Sequence, residues 1–229
     1  MNMLRFENVS KSFALPVGRK LIADRITLGI PRGRSMALLG RNGAGKSSLL
    51  RLIAGTLRPD QGRIHVAGQV SWPVGFMGSF HPDLTGAQNV RFVARIYGVE
   101  TAALVDFARD FSELEAQFEQ PVRQYSSGMK SRLAFAMSMG IRFDTYLVDE
   151  ITSVGDLAFR RKSETLLRQR LEHSGAVVVS HSMDLLRRIC DCGAVLEDGR
   201  LHFFENIEAA LNHYENTLLP PQRTGALPQ

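Results

Sequence analysis

The chain has 229 residues, of which 44% are apolar and 22% are charged, and its formal net charge is +5. The length suits one large domain or two small ones, and a composition without a fixed repeat excludes disordered, collagenous and solenoid proteins. No apolar run approaches the length of a membrane-spanning helix, and the N-terminal segment lacks the apolar core of a signal peptide. We therefore expect a globular, cytosolic protein.

The cysteines and the basic residues exclude further classes. Cys190 and Cys192 are too few for a disulfide framework, and without a second ligand pair they do not predict a metal site. The basic residues are scattered along the chain and do not form a stripe with interleaved aromatics, so we expect no binding to nucleic acid.

The first segments read as strands. Residues 4–9 and 26–30 alternate apolar and polar side chains, and a Pro-Arg-Gly-Arg turn then leads into the buried strand predicted at 35–39. Phe13 follows the first strand and could stack on a nucleotide base, although an aromatic at a strand end is more often part of the core.

A glycine-rich segment after the third strand predicts a phosphate-binding loop that opens a helix. It consists of Gly40, Arg41, Asn42, Gly43, Ala44, Gly45, Lys46, Ser47 and Ser48. Its glycines allow a tight turn that points backbone N–H groups inward, towards a polyphosphate at the helix N-terminus. In this pattern Lys46 reaches the β- and γ-phosphates and the Ser47 hydroxyl binds Mg²⁺.

The middle of the chain is predicted to be helical, from about residue 72 to 140. An edge strand is expected at 63–68, before a segment at 72–82 that is rich in glycine, proline and bulky apolar residues. That segment is either a mobile contact loop or a buried connector. Residues 85–89 cap a helix at 90–97, and a second helix is expected at 102–117.

Two later segments also bear polar groups that suit a nucleotide site. Ser126, Ser127 and Gly128 precede a helix at 131–139, as either a serine N-cap or a second phosphate-binding helix start. The strand at 145–150 ends in Asp149 and Glu150. In a nucleotide site the first acid holds Mg²⁺ through water and the second orients or deprotonates the attacking water.

The remaining elements place one more candidate at the sheet edge. After a helix at 158–172, a buried strand at 175–182 ends in Ser-His, which puts His181 within reach of the γ-phosphate. A helix at 183–190, a hairpin at 194–204 that closes on Asp-Gly, and a helix at 207–216 complete the chain. The tail beyond Pro220 is predicted to be disordered.

The order of these motifs resembles the ATP-binding subunits of ABC transporters, from about residue 4 to 214. Residues 40–48 match the Walker A motif, and residues 146–150 match Walker B with its following glutamate. Tyr125-Ser126-Ser127-Gly128-Met129 stands where the family has Leu-Ser-Gly-Gly-Gln, residues 153–156 look like the D-loop with Ser153 and Asp156, and His181 looks like the switch histidine. This resemblance makes Phe13 the expected adenine-stacking aromatic.

The resemblance implies an α/β P-loop NTPase with a RecA-like core, an N-terminal antiparallel β subdomain and a helical signature subdomain. One domain would cover residues 1–217, with the helical part at about 72–140 and a disordered tail at 218–229. Two copies would dimerise head to tail around two ATP molecules, so that Ser126, Ser127, Gly128 and Met129 of one copy meet the γ-phosphate held by the other.

In a head-to-tail dimer of this kind, the two acids at the end of the strand at 145–150 and the histidine at 181 would each have a role. Glu150 would be the general base, His181 would hold the γ-phosphate, and Ser47 and Asp149 would bind Mg²⁺. The ATPase would lie on the cytoplasmic face of the bacterial inner membrane and drive a separate integral membrane permease.

Departures from the family pattern suggest a branch of it. Ser127 and Met129 replace a glycine and a glutamine, and no glutamine lies between residues 75 and 81, where His81 is the nearest polar substitute. The segments around 71–98 and 125–133 look like the polysaccharide-exporting branch, and a chain ending at 229 is more similar to the capsule-export ATPases than to O-antigen exporters with an added carbohydrate-binding domain. The alternatives are another cargo such as O-antigen or teichoic acid, an ATP-driven clamp on DNA or ribosomes, and an inactive regulatory module.

Overall fold

The computed structural model describes residues 2–150 and 156–218 of the chain. The strands are β1 (Asn2–Ala14), β2 (Arg19–Pro31), β3 (Ser35–Leu39), β4 (Gln61–Val66), β5 (Val70–Val74), β6 (Thr145–Asp149), β7 (Gly175–Val179), β8 (Cys192–Glu197) and β9 (Arg200–Phe204). The helices are α1 (Lys46–Ile53), α2 (Gly86–Tyr97), α3 (Thr101–Ser112), α4 (Ser127–Gly140), α5 (Leu157–Leu171), α6 (Met183–Ile189) and α7 (Ile207–Leu218). The tail predicted to be disordered lies almost wholly outside the described residues.

A six-stranded sheet in the order β5-β6-β7-β3-β8-β9 forms the centre of the fold. All its neighbouring strands run parallel except β9, which pairs antiparallel with β8 through the predicted Asp-Gly hairpin. The residues of β3 and β7 are buried throughout, as expected for strands covered on both faces. The carboxyl ends of β3, β6 and β7 therefore meet at one edge, where ligands bind in such sheets.

Alternate residues of β3 face two separate cores. Ala37 and Leu39 join the cluster that contains Phe135 of α4, whereas Met36 and Leu38 join a second cluster. That second cluster is built from α1 and from an antiparallel sheet of order β2-β1-β4. The phosphate loop between β3 and α1 is thus held between two packed layers.

The helical part contains α2, α3 and α4, and α2 begins as the sequence predicts. The Thr85 hydroxyl accepts from Gln88 N–H while the Gln88 side chain accepts from Thr85 N–H, which forms a complete capping box. The expected helix at 102–117 is shorter than predicted. It ends at Ser112 because Glu113 adopts a left-handed backbone conformation with φ of 56°.

The expected helical start at about residue 72 is wrong. Residues Val70–Val74 form a strand that pairs in parallel with β6 at the edge of the large sheet. An edge strand tolerates Pro73, which has no N–H to donate. This strand depends on pairing with a segment more than 70 residues away, which local patterns do not reveal.

Candidate nucleotide-binding site

The loop between β3 and α1 has a backbone that only glycine allows at two positions. Gly40 and Gly45 have φ of 151° and 110°, and a Cβ would lie 2.6 Å from the Leu196 carbonyl oxygen at the first and 2.9 Å from Ile22 at the second. Among the described residues, no side chain caps the first turn of α1. Its backbone N–H groups are therefore available to an anion.

Lys46 is the first residue of α1 and folds back onto the loop. Its Nζ donates to the carbonyl oxygens of Gly40 at 2.7 Å and Arg41 at 3.1 Å. Burial lowers the pKa of Lys46, while the negative charges of Glu150 and Asp149 act in the opposite direction. These contacts hold a cation beside the loop N–H groups, where a phosphate would lie.

Ser47 and Asp149 bring two oxygens together across the sheet edge. The Ser47 hydroxyl hydrogen-bonds to the Asp149 carboxylate, which is half-buried at the end of β6. Burial raises the pKa of Asp149, and the hydrogen bond from Ser47 offsets part of that effect. A hydroxyl and a carboxylate in contact are the hard oxygen ligands that Mg²⁺ prefers, so these residues fit the metal.

Glu150 and His181 meet because β6 and β7 are parallel neighbours. Glu150 has a left-handed backbone with φ of 51°, and its N–H donates to the Val179 carbonyl oxygen at 3.0 Å. His181 Nε2 lies 2.9 Å from Glu150 Oε1, and each side chain is a little over half exposed. The pair can therefore reach a ligand outside the sheet edge.

A cavity of about 470 Å³ gathers most of the predicted residues. Its lining consists of Lys20, Asn42, Gly43, Gly45, Lys46, Ser47, Ser48, Asp149, Glu150, Val179 and His181. The carboxylates, the histidine and the phosphate loop thus share one site, as the motif order predicts.

Phe13 does not line this cavity, but its strand partner does. Phe13 of β1 pairs with Lys20 of β2, and the ammonium of Lys11 lies 5.5 Å from the centroid of the half-buried Phe13 ring. Sequence reasoning missed Lys20, because irregularities along the β1–β2 pairing set which residues stand opposite each other. The role of Phe13 in stacking on adenine stays a prediction.

The four signature residues form the start of α4 and do not line the 470 Å³ cavity. Ser126 is the N-cap, and its hydroxyl accepts from Met129 N–H at 3.2 Å. Ser127 is the first residue of the helix, and a Cβ added to Gly128 would have only Ser126 Oγ, at 3.9 Å, within contact distance. The N-cap interpretation is therefore correct, and phosphate binding at this helix start stays a prediction.

Asp156 has a structural partner that the sequence did not indicate. It caps α5 by accepting from Phe159 N–H at 2.9 Å, and its other oxygen accepts from Arg132 of α4 at 2.6 Å. Arg132 also pairs with Glu113 at 3.2 Å. Helix α4 is thereby tied to Asp156, which the resemblance places in the D-loop, whereas Ser153 lies outside the described residues.

His81 is not positioned at the nucleotide cavity. Its Nδ1 accepts from Asp83 N–H at 3.3 Å, and its own N–H donates to the buried Asn89 of α2 at 2.9 Å. The structure therefore gives no support to His81 as a substitute for the missing glutamine.

Comparison with known proteins identifies the family. A sequence profile described as ABC transporter matches residues 23–153, more than half of the chain. The chain belongs to the ABC transporter family. Within this family it is 43% identical to the polysialic acid transport ATP-binding protein KpsT of Escherichia coli, over 93% of this chain and 96% of KpsT. It is 40% identical to the capsule polysaccharide export ATP-binding protein CtrD of Neisseria meningitidis serogroup B, over 93% of this chain and 99% of CtrD.

Solved ABC cassettes have the same fold. The ATP-binding cassette MJ0796, solved as a dimer in a post-hydrolysis state bound to ADP and Pi, matches with a TM-score of 0.77 at 22% identity. The match covers 90% of this chain and 99% of that one. The expected ABC ATPase fold, with its RecA-like core, antiparallel β sheet and helical segment, is confirmed. Within residues 2–150 and 156–218, no helix has the length and apolar character needed to span a bilayer.

Proposed function

We propose that this chain is the ATP-hydrolysing subunit of an ABC exporter that drives capsular polysaccharide across the bacterial inner membrane. The observation that carries the proposal is the 470 Å³ cavity, in which Lys46, Ser47, Asp149, Glu150 and His181 converge. The similarity to KpsT, a polysialic acid transport protein, and to CtrD, a capsule polysaccharide export protein, at 43% and 40% identity over nearly their whole lengths, supports the polysaccharide cargo.

The chemistry follows from the arrangement of charges. The N–H groups of α1 and the Lys46 ammonium bind the β- and γ-phosphates of ATP, and Ser47 and Asp149 supply oxygen ligands for Mg²⁺. The metal, when bound, neutralises phosphate charge. Glu150 accepts the proton of the attacking water, and His181 orients Glu150 and contacts the γ-phosphate.

A second copy of the chain completes each site. The first turn of α4, with Ser126, Ser127, Gly128 and Met129, presents the backbone N–H groups that Ser126 does not cap to a γ-phosphate held by the other copy. The proposal is supported by the absence of these residues from the lining of their own chain's cavity. Hydrolysis therefore depends on dimer closure, and Asp156 and Arg132 connect that closure to the D-loop of the same copy.

The remaining partner is an integral membrane permease, with the ATPase on its cytoplasmic face. The loop around 76–81 is our candidate docking surface, since Phe76 is 51% and Met77 42% exposed. Asn89 joins the end of this loop to α2 through hydrogen bonds with both the N–H and the carbonyl oxygen of His81. A movement of α2 would therefore move the loop around 76–81 and the permease docked on it.

Deletion of the gene in its native bacterium tests the cargo. Complementation with the parental gene and with Glu150→Gln would be compared by staining for surface polysaccharide and by fractionation for polymer inside the cell. We expect capsule to be lost outside and polymer to accumulate inside, with rescue by the parental gene alone. A normal capsule in the deletion strain would contradict the proposal.

Met77→Glu tests the docking surface. A charge on the candidate docking surface should abolish export, while the purified ATPase subunit keeps its basal hydrolysis. Val17→Glu, at an apolar position that is 91% exposed elsewhere, is the matched control and should leave export intact. Equal export in the two variants would rule out this surface.

A further inference from the structure

A second cavity lies at the edge of the large sheet opposite the nucleotide cavity. The segments that precede β6 and β7 enclose about 320 Å³, lined by Arg142, Phe143, Asp144, Tyr146, Gln169, Arg170, His173 and Ser174. We propose that this cavity binds a small anion through a phosphate or carboxylate group. The proposal is independent of the exporter function.

The cavity contains two arginines and one carboxylate, so it keeps a net positive charge. Within the described part of the chain, neither Arg142 nor Arg170 forms an ion pair with a carboxylate. Arg170 uses Nε to donate to the Met139 carbonyl oxygen at 2.9 Å, which leaves its two terminal nitrogens. Asp144, the one acidic residue of the lining, instead accepts from Gln69 N–H at 2.7 Å.

The guanidinium groups of Arg142 and Arg170 both act on the Tyr146 hydroxyl. Both lie near enough to the Tyr146 hydroxyl to oppose the rise in its pKa that burial causes. The Tyr146 hydroxyl itself donates to the Ile141 carbonyl oxygen at 2.9 Å, and the Ser174 hydroxyl donates to that of Phe143 at 2.7 Å. With the hydroxyl hydrogens already engaged, the donors left for a ligand are the two arginines, which are permanently charged, and the side chains of Gln169 and His173.

Another basic cavity of the protein is partly neutralised by a carboxylate. Arg5, Arg32 and His65 line about 360 Å³ on the antiparallel sheet. There Glu7 pairs with Arg5 at 2.8 Å and with His65 at 3.1 Å. Arg32 of that cavity is not in an ion pair with any described residue, whereas in the cavity at Arg142 and Arg170 both arginines are without such a pair, so more positive charge remains there for a ligand.

The pair of arginines selects the chemistry of that ligand. Guanidinium forks bind phosphate and carboxylate oxygens in pairs, with bonds stronger than those between neutral groups. A volume of about 320 Å³ holds a small molecule that bears such a group and is near the lower end of ligand-pocket sizes. We therefore expect a phosphorylated or carboxylated metabolite and not a long polymer.

The single tryptophan provides a readout of binding. Trp72 lies 5.5 Å, centroid to centroid, from Phe143, which lines the cavity. The test uses the Glu150→Gln protein saturated with Mg-ATP, so that the phosphate loop is already filled. Inorganic phosphate is titrated in one series and glucuronate in another, by calorimetry and Trp72 fluorescence, against sodium chloride at equal ionic strength.

We expect a saturable response that chloride does not reproduce, and a dissociation constant about tenfold weaker in Arg142→Ala. Arg168→Ala removes an exposed arginine of α5 that does not line the cavity, and should bind as the parent does. Saturation by phosphate would indicate a phosphorylated ligand, and saturation by glucuronate alone a carboxylated one. A response equal to that of chloride, or one that Arg142→Ala leaves unchanged, would overturn the proposal.

Discussion

His181 Nε2 lies 2.9 Å from Glu150 Oε1, across the carboxyl ends of two neighbouring parallel strands. The Glu150 backbone is also fixed, because its N–H donates to the carbonyl oxygen of Val179, two residues before the histidine. The carboxylate and the imidazole are thus positioned as one unit at the nucleotide cavity. A base held in this way needs little reorganisation when a water molecule is bound beside it.

Glu150→Gln should separate nucleotide binding from hydrolysis. The amide cannot accept the proton of the attacking water, so we expect hydrolysis to fall by roughly 10²- to 10⁴-fold. The contacts of Lys46 and of the phosphate loop are unchanged, so ATP binding should persist and a dimer with two nucleotides should accumulate. Phosphate release and light scattering after gel filtration measure the two effects. Glu172→Gln, at an exposed position beyond α5, is the control, and near-parental hydrolysis in Glu150→Gln would refute the role of the base.

Asp149→Asn should stabilise the protein in the absence of nucleotide. Burial raises the pKa of Asp149, so the ionised group disfavours folding at neutral pH, and an amide removes that cost. The stability advantage of the variant should shrink as the pH falls through the raised pKa of the folded state, and it should vanish below the ordinary aspartate value of 3.8, where the parental group is protonated in both states. Melting temperatures of the variant and the parent, measured across this pH range, test the sign of the stability difference.

The same substitution should weaken stabilisation by Mg-ATP, since it removes a metal ligand. Asp106→Asn, at an exposed position on α3, is the control and should change neither quantity. A melting temperature below that of the parent at neutral pH without nucleotide would contradict the proposed cost of the buried charge.

Lys20→Ala should weaken ATP binding more than it slows hydrolysis. Lys20 lines the nucleotide cavity, and its Nζ lies 3.9 Å from the position of a Cβ built on Gly43 of the phosphate loop. A charged contact with a phosphate, present before and during the reaction, predicts a rise of about tenfold in KM with little change in kcat. Arg19→Ala is the control, because it removes the charge of the adjacent residue, whose side chain lies on the other face of β2. Steady-state kinetics with equal KM for parent and Lys20→Ala would exclude the contact.

Local patterns predicted most of the fold because the signals were short-range. The strand at Ser35–Leu39, the Thr85 cap and the Asp-Gly hairpin each depend on residues next to one another in sequence. The strand Val70–Val74 was missed because its identity depends on pairing with β6, and its proline and neighbouring glycine suggested a loop.

The residues of the candidate site also differ in whether short-range signals or long-range contacts place them. Walker A, Asp149, Glu150 and His181 are at strand ends, where the order of motifs fixes a shared edge. Lys20 and Arg132 act through strand register and helix packing, which no single segment encodes. The roles of Phe13 and of the signature residues stay predictions, since each needs a bound nucleotide or a second copy.

Asn89→Ala should destabilise the protein and break the link between the docking loop and α2. Asn89 is 2% exposed, its Oδ1 accepts from His81 N–H, and its Nδ2 donates to the carbonyl oxygens of His81, Leu84 and Thr85 at 2.9 to 3.2 Å. Alanine leaves the His81 N–H unpaired, whereas the carbonyl oxygens of His81, Leu84 and Thr85 keep bonds from the backbone N–H groups of Leu84, Val122 and residue 89. This predicts a loss on the order of 1–3 kcal/mol in the free energy of unfolding.

Urea unfolding measures that loss, and Arg91→Ala on the exposed face of the same helix is the control. At temperatures where the variant is folded, capsule export should fall further than ATP hydrolysis, because the loop no longer moves with α2. A change below about 0.5 kcal/mol, as for an ordinary surface substitution, would show that Asn89 does not hold the loop. Equal losses of export and hydrolysis would instead indicate that its effect is on stability alone.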